Sequence, residues 1–212
     1  MHILVISSCE SLSTLWGKPF PFDGCSAVYA HEPAAAQLAA CDMIIDLTFE
    51  QNKQRLELYK TIEKPVFVSL VTTTLQSSGI SNEPIARFNY WPSFEERSKT
   101  EFAFTETQVS YFHSLLKQLH IEYEATADTP GFISARILAM VMNEAFLALE
   151  EGVASAQDID TAMKLGTNYP KGPFEWCDAI GAENVYSLLK TLAQDEPRYT
   201  PAPLLKQKAH EQ

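Results

Sequence analysis

Along the first 125 positions, apolar residues come in short runs separated by polar stretches with helical patterning. The runs His2 to Ser7, Ala27 to Ala30, Met43 to Leu47, Pro65 to Val71, Arg87 to Trp91, Glu101 to Phe104 and Ile121 to Ala125 are short and β-rich. They predict strands, and their alternation with helical segments predicts βαβ units and a mainly parallel sheet. Helices are expected from about Phe49 to Glu63 and from Glu106 to Leu119. Thr48 with Gln51, and Thr105 with Gln108, have the spacing of a capping box, in which a hydroxyl and an amide satisfy the free backbone donors of a helix start. In the second helix Val109, Phe112, Leu115, Leu116 and Leu119 form a 3.6-period stripe suited to lie on a sheet. The opening stretch, "ILVISSCESLSTLW", reads as a strand, a turn and an amphipathic segment, with no glycine before Gly17.

After Ala125 the pattern changes. "DTPGFISARILAMVMNEAFLALEEG" has Pro130 near a helix start, Ile133, Ile137, Met140, Val141, Ala145 and Leu149 on one broad face, and Gly152 at its stop. Ser155 with Asp158 marks the next helix start and Gly166 its stop. Further helices are expected from Pro173 and from about Ala182 to Gln194, and the proline-rich tail suits an extended segment before a last helical turn. The expected organisation is an α/β unit over 1–125 and an all-helical unit over 126–212.

Composition narrows the classes. The 212 residues carry 27 acidic and 16 basic side chains, a formal charge of −11 with no basic stripe, so no nucleic-acid partner is expected. Apolar stretches fall far short of the roughly 20 residues that span a bilayer, and "MHILVISSCE" has no basic leader, so no membrane partner and a cytoplasmic location are expected. Cys9, Cys25, Cys41 and Cys177 lack metal-ligand spacing and read as reduced thiols, with no metal site and no Ser-His-Asp arrangement.

The stretch from Asp128 to Asn184, "DTPGFISARILAMVMNEAFLALEEGVASAQDIDTAMKLGTNYPKGPFEWCDAIGAEN", resembles the C-terminal domain of the 3-hydroxyacyl-CoA dehydrogenases. It has the proline-glycine-phenylalanine entry, Arg136 one turn on, the two helices that follow and the "GPFE" element, in order and in spacing. Upstream, Cys41 to Gln76 and Ala86 to Phe104 look like the same family more weakly, as an abridged Rossmann-like domain whose glycine turn and long second crossover are altered.

The resemblance implies oxidation of a 3-hydroxyacyl-CoA with NAD by a histidine base and its glutamate partner. The position that matches the histidine is Arg87, whose guanidinium stays protonated and cannot act as a base. No histidine stands between His31 and His113. Glu101 matches the carboxylate partner, in a position to pair with Arg87; a plain strand glutamate at an edge or in solvent is the other reading. Thr73 keeps a hydroxyl where the family has a serine, or simply caps a strand end. The family's carbonyl-binding asparagine is replaced by Ala135, the asparagine of the serine turn by Val71, and Glu50 matches a family acid. The three glycines of the dinucleotide turn correspond to Ser7, Cys9 and Leu12, with Glu10 adding a charge hostile to pyrophosphate, while His31 and Glu32 are positioned for a ribose contact.

NAD is thus implied by the family, yet no cofactor-binding residue is assigned. The resemblance also implies an acyl-CoA-type small molecule and a homodimer formed through the helical domain, whose first helix region carries Phe132, Ile133, Met140, Met142 and Phe146. Three readings follow: a dehydrogenase with unusual residues, a non-catalytic dimerisation or ligand-binding paralogue, and an enzyme turned to another acyl or hydroxy-acid ligand, with Arg87 as an anion anchor.

Overall fold

A computed structural model describes residues 1–93 and 99–211. The chain forms two compact units, one of Met1–Tyr90 and Glu96–Phe132, the other of Trp91–Glu95 and Ile133–Gln212.

The first unit contains β1 (His2–Ile6), β2 (Thr14–Leu15), β3 (Lys18–Pro19), β4 (Ser26–Ala30), β5 (Met43–Asp46), β6 (Val66–Ser69), β7 (Ile85–Phe88), β8 (Thr100–Ala103) and β9 (Tyr123–Ala125). Seven of these form one sheet in the order β4-β1-β5-β6-β7-β8-β9, in which only the β7–β8 pairing is antiparallel. The fold is an abridged Rossmann-like, mainly parallel sheet followed by a helical region. Period-2 alternation in near-continuous apolar strands gives the sheet two buried faces. Ile3, Val5, Met43, Ile45, Phe67 and Phe88 point to one face, and Leu4, Ile6, Ile44, Val66, Val68 and Ile85 to the other. Phe112 and Leu116 of helix α3 (Val109–Gln118) cover the first face, and Phe49 and Tyr59 help to cover the second, beside helices α1 (Ala35–Ala40) and α2 (Leu56–Tyr59).

Two expected segments fold differently. The amphipathic segment expected after β1 is a tight hairpin: β2 and β3 pair, Leu15 opposite Lys18, around Trp16 and Gly17. Both turn residues have positive φ, 53° and 73°, as a type I′ hairpin turn requires. Glycine takes that conformation freely; Trp16 accepts its cost because the turn drives the indole into the core, where its ring centroid lies 4.9 Å from that of Phe67, 5.0 Å from Phe102 and 5.3 Å from Phe88. The helix expected over 49–63 is broken into single 3-10 turns at Phe49–Gln51 and Lys53–Arg55, followed by the short α2. Neither upstream capping box forms. The Thr48 hydroxyl donates to Asp46 Oδ1 at 3.0 Å, and the Gln108 amide donates to the Asn82 carbonyl at 2.7 Å.

The second unit holds α4 (Ser134–Glu150), α5 (Ala156–Thr167), α6 (Pro173–Ile180), α7 (Ala182–Leu192) and α8 (Pro203–His210). Ser155 caps α5 by accepting from the Asp158 backbone N–H at 3.2 Å, as the spacing predicts. The helix runs one residue past Gly166 and stops at Asn168, which takes the left-handed conformation. Buried Asp160 accepts from the Phe174 N–H at 2.9 Å, capping α6 from a neighbouring helix. Asn143, buried in α4, accepts from the Ala202 N–H at 2.8 Å and donates to the Thr200 carbonyl at 3.0 Å, which fixes the start of the tail. Trp176 donates its indole N–H to the Ser93 carbonyl at 2.7 Å. Among the described residues, no helix is long and apolar enough to cross a membrane.

Candidate functional site

In an open parallel sheet, ligands meet the carboxyl ends of the strands, so the residues leaving β1, β6 and β7 define the place to examine. Arg87, in β7, is fully buried. Its Nε donates to Asp128 Oδ1 at 2.6 Å, Nη1 to the Leu70 carbonyl at 3.1 Å and Nη2 to the Thr129 carbonyl at 2.7 Å, and its Cζ lies 4.0 Å from the centre of the Phe132 ring. Burial pulls the guanidinium's pKa down, and the Asp128 carboxylate opposes that most strongly. The other Asp128 oxygen accepts from the Gln76 N–H at 3.1 Å, and Oδ1 also accepts from the Leu75 N–H at 3.1 Å. Arg87 therefore fastens the strand to the proline-glycine-phenylalanine segment. Its ion-pair partner is Asp128, which the sequence reading did not single out, rather than Glu101.

Glu101 is buried in β8 and accepts from the Asn89 side-chain amide at 2.8 Å. Its charge helps to hold Arg87 protonated at longer range. Thr73 lies in the turn after β6, and its hydroxyl oxygen is buried with no hydrogen-bond partner among the described residues, so it caps no strand end. Glu50 binds the same turn: its carboxylate accepts from the Val71 N–H, the Thr72 N–H and the Thr72 hydroxyl, and lies 3.4 Å from the Lys53 ammonium. Ala135 is buried in the first turn of α4, where a methyl group offers no hydrogen bond.

At the end of β1, Ser7 is buried and its hydroxyl accepts from the Cys9 N–H at 2.9 Å, while Cys9 and Glu10 are exposed. A dinucleotide turn uses the N-terminus of the helix that follows as its anion cradle. Here the chain goes on to the β2–β3 hairpin, so these residues do not fit a pyrophosphate. At the end of β4, Glu32 is already engaged by Arg55, with Nη2 to Oε1 at 2.6 Å and Nε to Oε2 at 3.0 Å, and this bond lowers its pKa. Arg55 also reaches buried Asp46 at 3.1 Å, and Asp46 accepts from the Tyr59 hydroxyl at 2.7 Å. Burial first, then the Asp46 charge, suppress ionisation of that phenol. This Asp46–Arg55–Tyr59 cluster also went unread in the sequence; its one signal was a carboxylate closing an otherwise apolar strand run. No group of three or more potential metal ligands occurs among the described residues.

Fold and site together define a Rossmann-like unit joined in sequence to a helical unit of dehydrogenase type. Residues 131–212 match the family model "3-hydroxyacyl-CoA dehydrogenase, C-terminal domain". The 3-hydroxyadipyl-CoA dehydrogenase of Escherichia coli (strain K12) is 51% identical over 85 residues, 39% of this chain and 18% of that protein. The mitochondrial hydroxyacyl-coenzyme A dehydrogenase of Homo sapiens is 31% identical over 210 residues, 89% of this chain and 65% of that protein. The crystal structure of (S)-3-hydroxybutyryl-CoA dehydrogenase from Ralstonia eutropha shares the fold, with a TM-score of 0.68 at 24% identity, covering 88% of this chain and 70% of that one. Residues 131–212 carry the likeness to the C-terminal domain of the 3-hydroxyacyl-CoA dehydrogenases, and the chain as a whole is similar to these enzymes, most strongly in the helical region. It spans just under two thirds of the length of the human relative.

Proposed function

We propose that this chain does not transfer hydride and serves instead as a non-catalytic dimerisation or ligand-binding paralogue, with residues 1–125 a degenerate NAD-binding-like domain and 126–212 the retained module. The carrying observation is Arg87. At the position matched to the catalytic histidine stands a buried guanidinium with its donors committed to Asp128, Leu70 and Thr129. It cannot take a proton from a hydroxyl group, and losing a general base costs on the order of 10² to 10⁴ in rate. The hairpin after β1 and the methyl of Ala135 support the same reading. Glu101 and Thr73 are then remnants of the family's site. An acyl-CoA-type molecule is the proposed small-molecule partner and a homodimer through the helical unit the proposed assembly. A cytoplasmic location is in keeping with four free cysteines.

The test is purified protein with acetoacetyl-CoA and NADH, followed by the loss of NADH absorbance and by calorimetric titration of NADH. The expected result is no oxidation above a blank without protein and no measurable NADH binding. Turnover, or micromolar affinity for NADH, would overturn the proposal.

A further inference from the structure

Away from the residues described so far, cationic side chains converge at the β9 edge of the sheet, opposite the edge formed by β4. A cavity of about 790 Å³ there is lined by Lys18 of β3, Lys99 just before β8, Lys117 in the last turn of α3, and His113 and His120. A single carboxylate, Glu122, joins them. Acidic residues outnumber basic ones 27 to 16 in this chain, so three ammonium groups to one carboxylate reverses its general surface character.

Most other lysines are engaged. Lys60 pairs with Glu57, Lys208 with Asp178 and Lys164 with Glu175, and Lys64 donates to the carbonyls of Leu38, Ala39 and Cys41. Lys18, Lys99 and Lys117 have no ion-pair or hydrogen-bond partner among the described residues. Lys117 has a local reason for its place, since a cation is favoured at a helix C-terminus. Lys18 and Lys99 have none, and gathering like charges around one cleft is unfavourable until an anion fills it.

The remaining lining restricts the anion. Ile121 is buried and Tyr123 half-buried, and the Tyr123 phenol is fixed by His113 Nδ1 at 2.7 Å, so the cationic rim surrounds an apolar and aromatic wall. The volume lies in the range of small-molecule sites. We infer that this cleft binds a phosphorylated nucleotide, its phosphates on Lys18, Lys99 and Lys117 and its base against Ile121 and Tyr123. Lysine suits the phosphates as a mobile point charge.

The chemistry is shared by a free nucleoside triphosphate and by the nucleotide end of coenzyme A, and calorimetry on the whole chain separates them. ATP, coenzyme A and inorganic tripolyphosphate are titrated in low salt, and coenzyme A is titrated again in the presence of ATP. ATP or coenzyme A is expected to bind, more tightly than tripolyphosphate. Mutual competition identifies the coenzyme A end, and binding of ATP alone identifies the free nucleotide. The double variant Lys18→Ala/Lys117→Ala, at two exposed positions, should lose at least about tenfold in affinity with an unchanged far-UV circular dichroism spectrum. No binding of either nucleotide, equal binding of tripolyphosphate, or affinity unchanged in the double variant would overturn the inference.

Discussion

Arg87 Nε and Asp128 Oδ1 stand 2.6 Å apart, the guanidinium fully buried and the carboxylate 19% exposed. They stand 41 positions apart in the chain, and the bond closes β7 onto the segment that begins the stretch most similar to the 3-hydroxyacyl-CoA dehydrogenases. A buried pair of this kind adds little against a well-packed apolar substitute, but removing one partner leaves an uncompensated charge. Asp128→Ala is expected to lose about 3–5 kcal/mol in urea denaturation, partly through the Leu75 and Gln76 N–H groups it also caps. Arg87→Met combined with Asp128→Asn should lose clearly less. Equal losses would mean that packing at the two sites, and not the pair, carries the stability.

The hairpin that follows β1 rests on Trp16. Its indole is 4% exposed and contacts Phe22, Phe67, Phe88 and Phe102 within one aromatic cluster. Trp16→Ala is expected to destabilise the chain by about 3–5 kcal/mol and to remove much of the near-UV circular dichroism signal. A loss under about 1 kcal/mol would show that the hairpin is an appendage and not part of the core.

The sheet strands were legible as short runs ended by polar or turn-forming residues, and burial of both faces sharpens that signal in β1, β5, β6, β7 and β8, whereas the edge strands β4 and β9 are partly exposed. The helical unit was legible for a similar reason: Ser155, Gly152 and Pro173 stop or start helices by local chemistry. What was missed depends on partners distant in sequence. β2 and β3 have two residues each and exist because the core accepts Trp16. The helix expected over 49–63 breaks where Glu50 turns to Val71 and Thr72, and Arg55 to Asp46 and Glu32. Arg87 stood out only as a residue in the wrong place for a base. That it is a fastener follows from Asp128, and nothing in the local sequence of either residue announces the other.

The four thiols should divide by exposure. Cys9 is exposed and Cys25 partly so, whereas Cys41 and Cys177 are buried, so a thiol reagent should titrate two groups quickly and two only on unfolding. Burial pushes the Cys177 thiol up from 9.0 to about 11, with Lys208 opposing. A raised folded pKa contributes stability in full below the unfolded value near 9 and loses it as the pH rises through about 11. Relative to Cys177→Ala, the parent protein should therefore hold a constant stability difference below about pH 8 and lose about 1 kcal/mol of it by about pH 10. A difference that stays constant throughout would place the alkaline titration elsewhere.

The proposed homodimer makes a demand on one helix face. Ile133, just before α4, and Ile137, one turn later, are 52% and 58% exposed, although apolar neighbours on α4 such as Leu138 and Met142 are buried. Residues four apart stand side by side on a helix, so the two isoleucines form one apolar patch, and such a patch on a soluble surface signals contact with another chain. Leu165 of α5, 83% exposed, gives the helical unit a further apolar site to cover. If this surface is the interface, light scattering should give twice the chain mass of 23.7 kDa for the parent protein. Ile137→Glu places a charge in the patch without touching the buried face of α4, and is expected to yield a monomer with unchanged helical circular dichroism. A parent protein that is monomeric at tens of micromolar, or a variant that remains dimeric, would rule out this face as the interface.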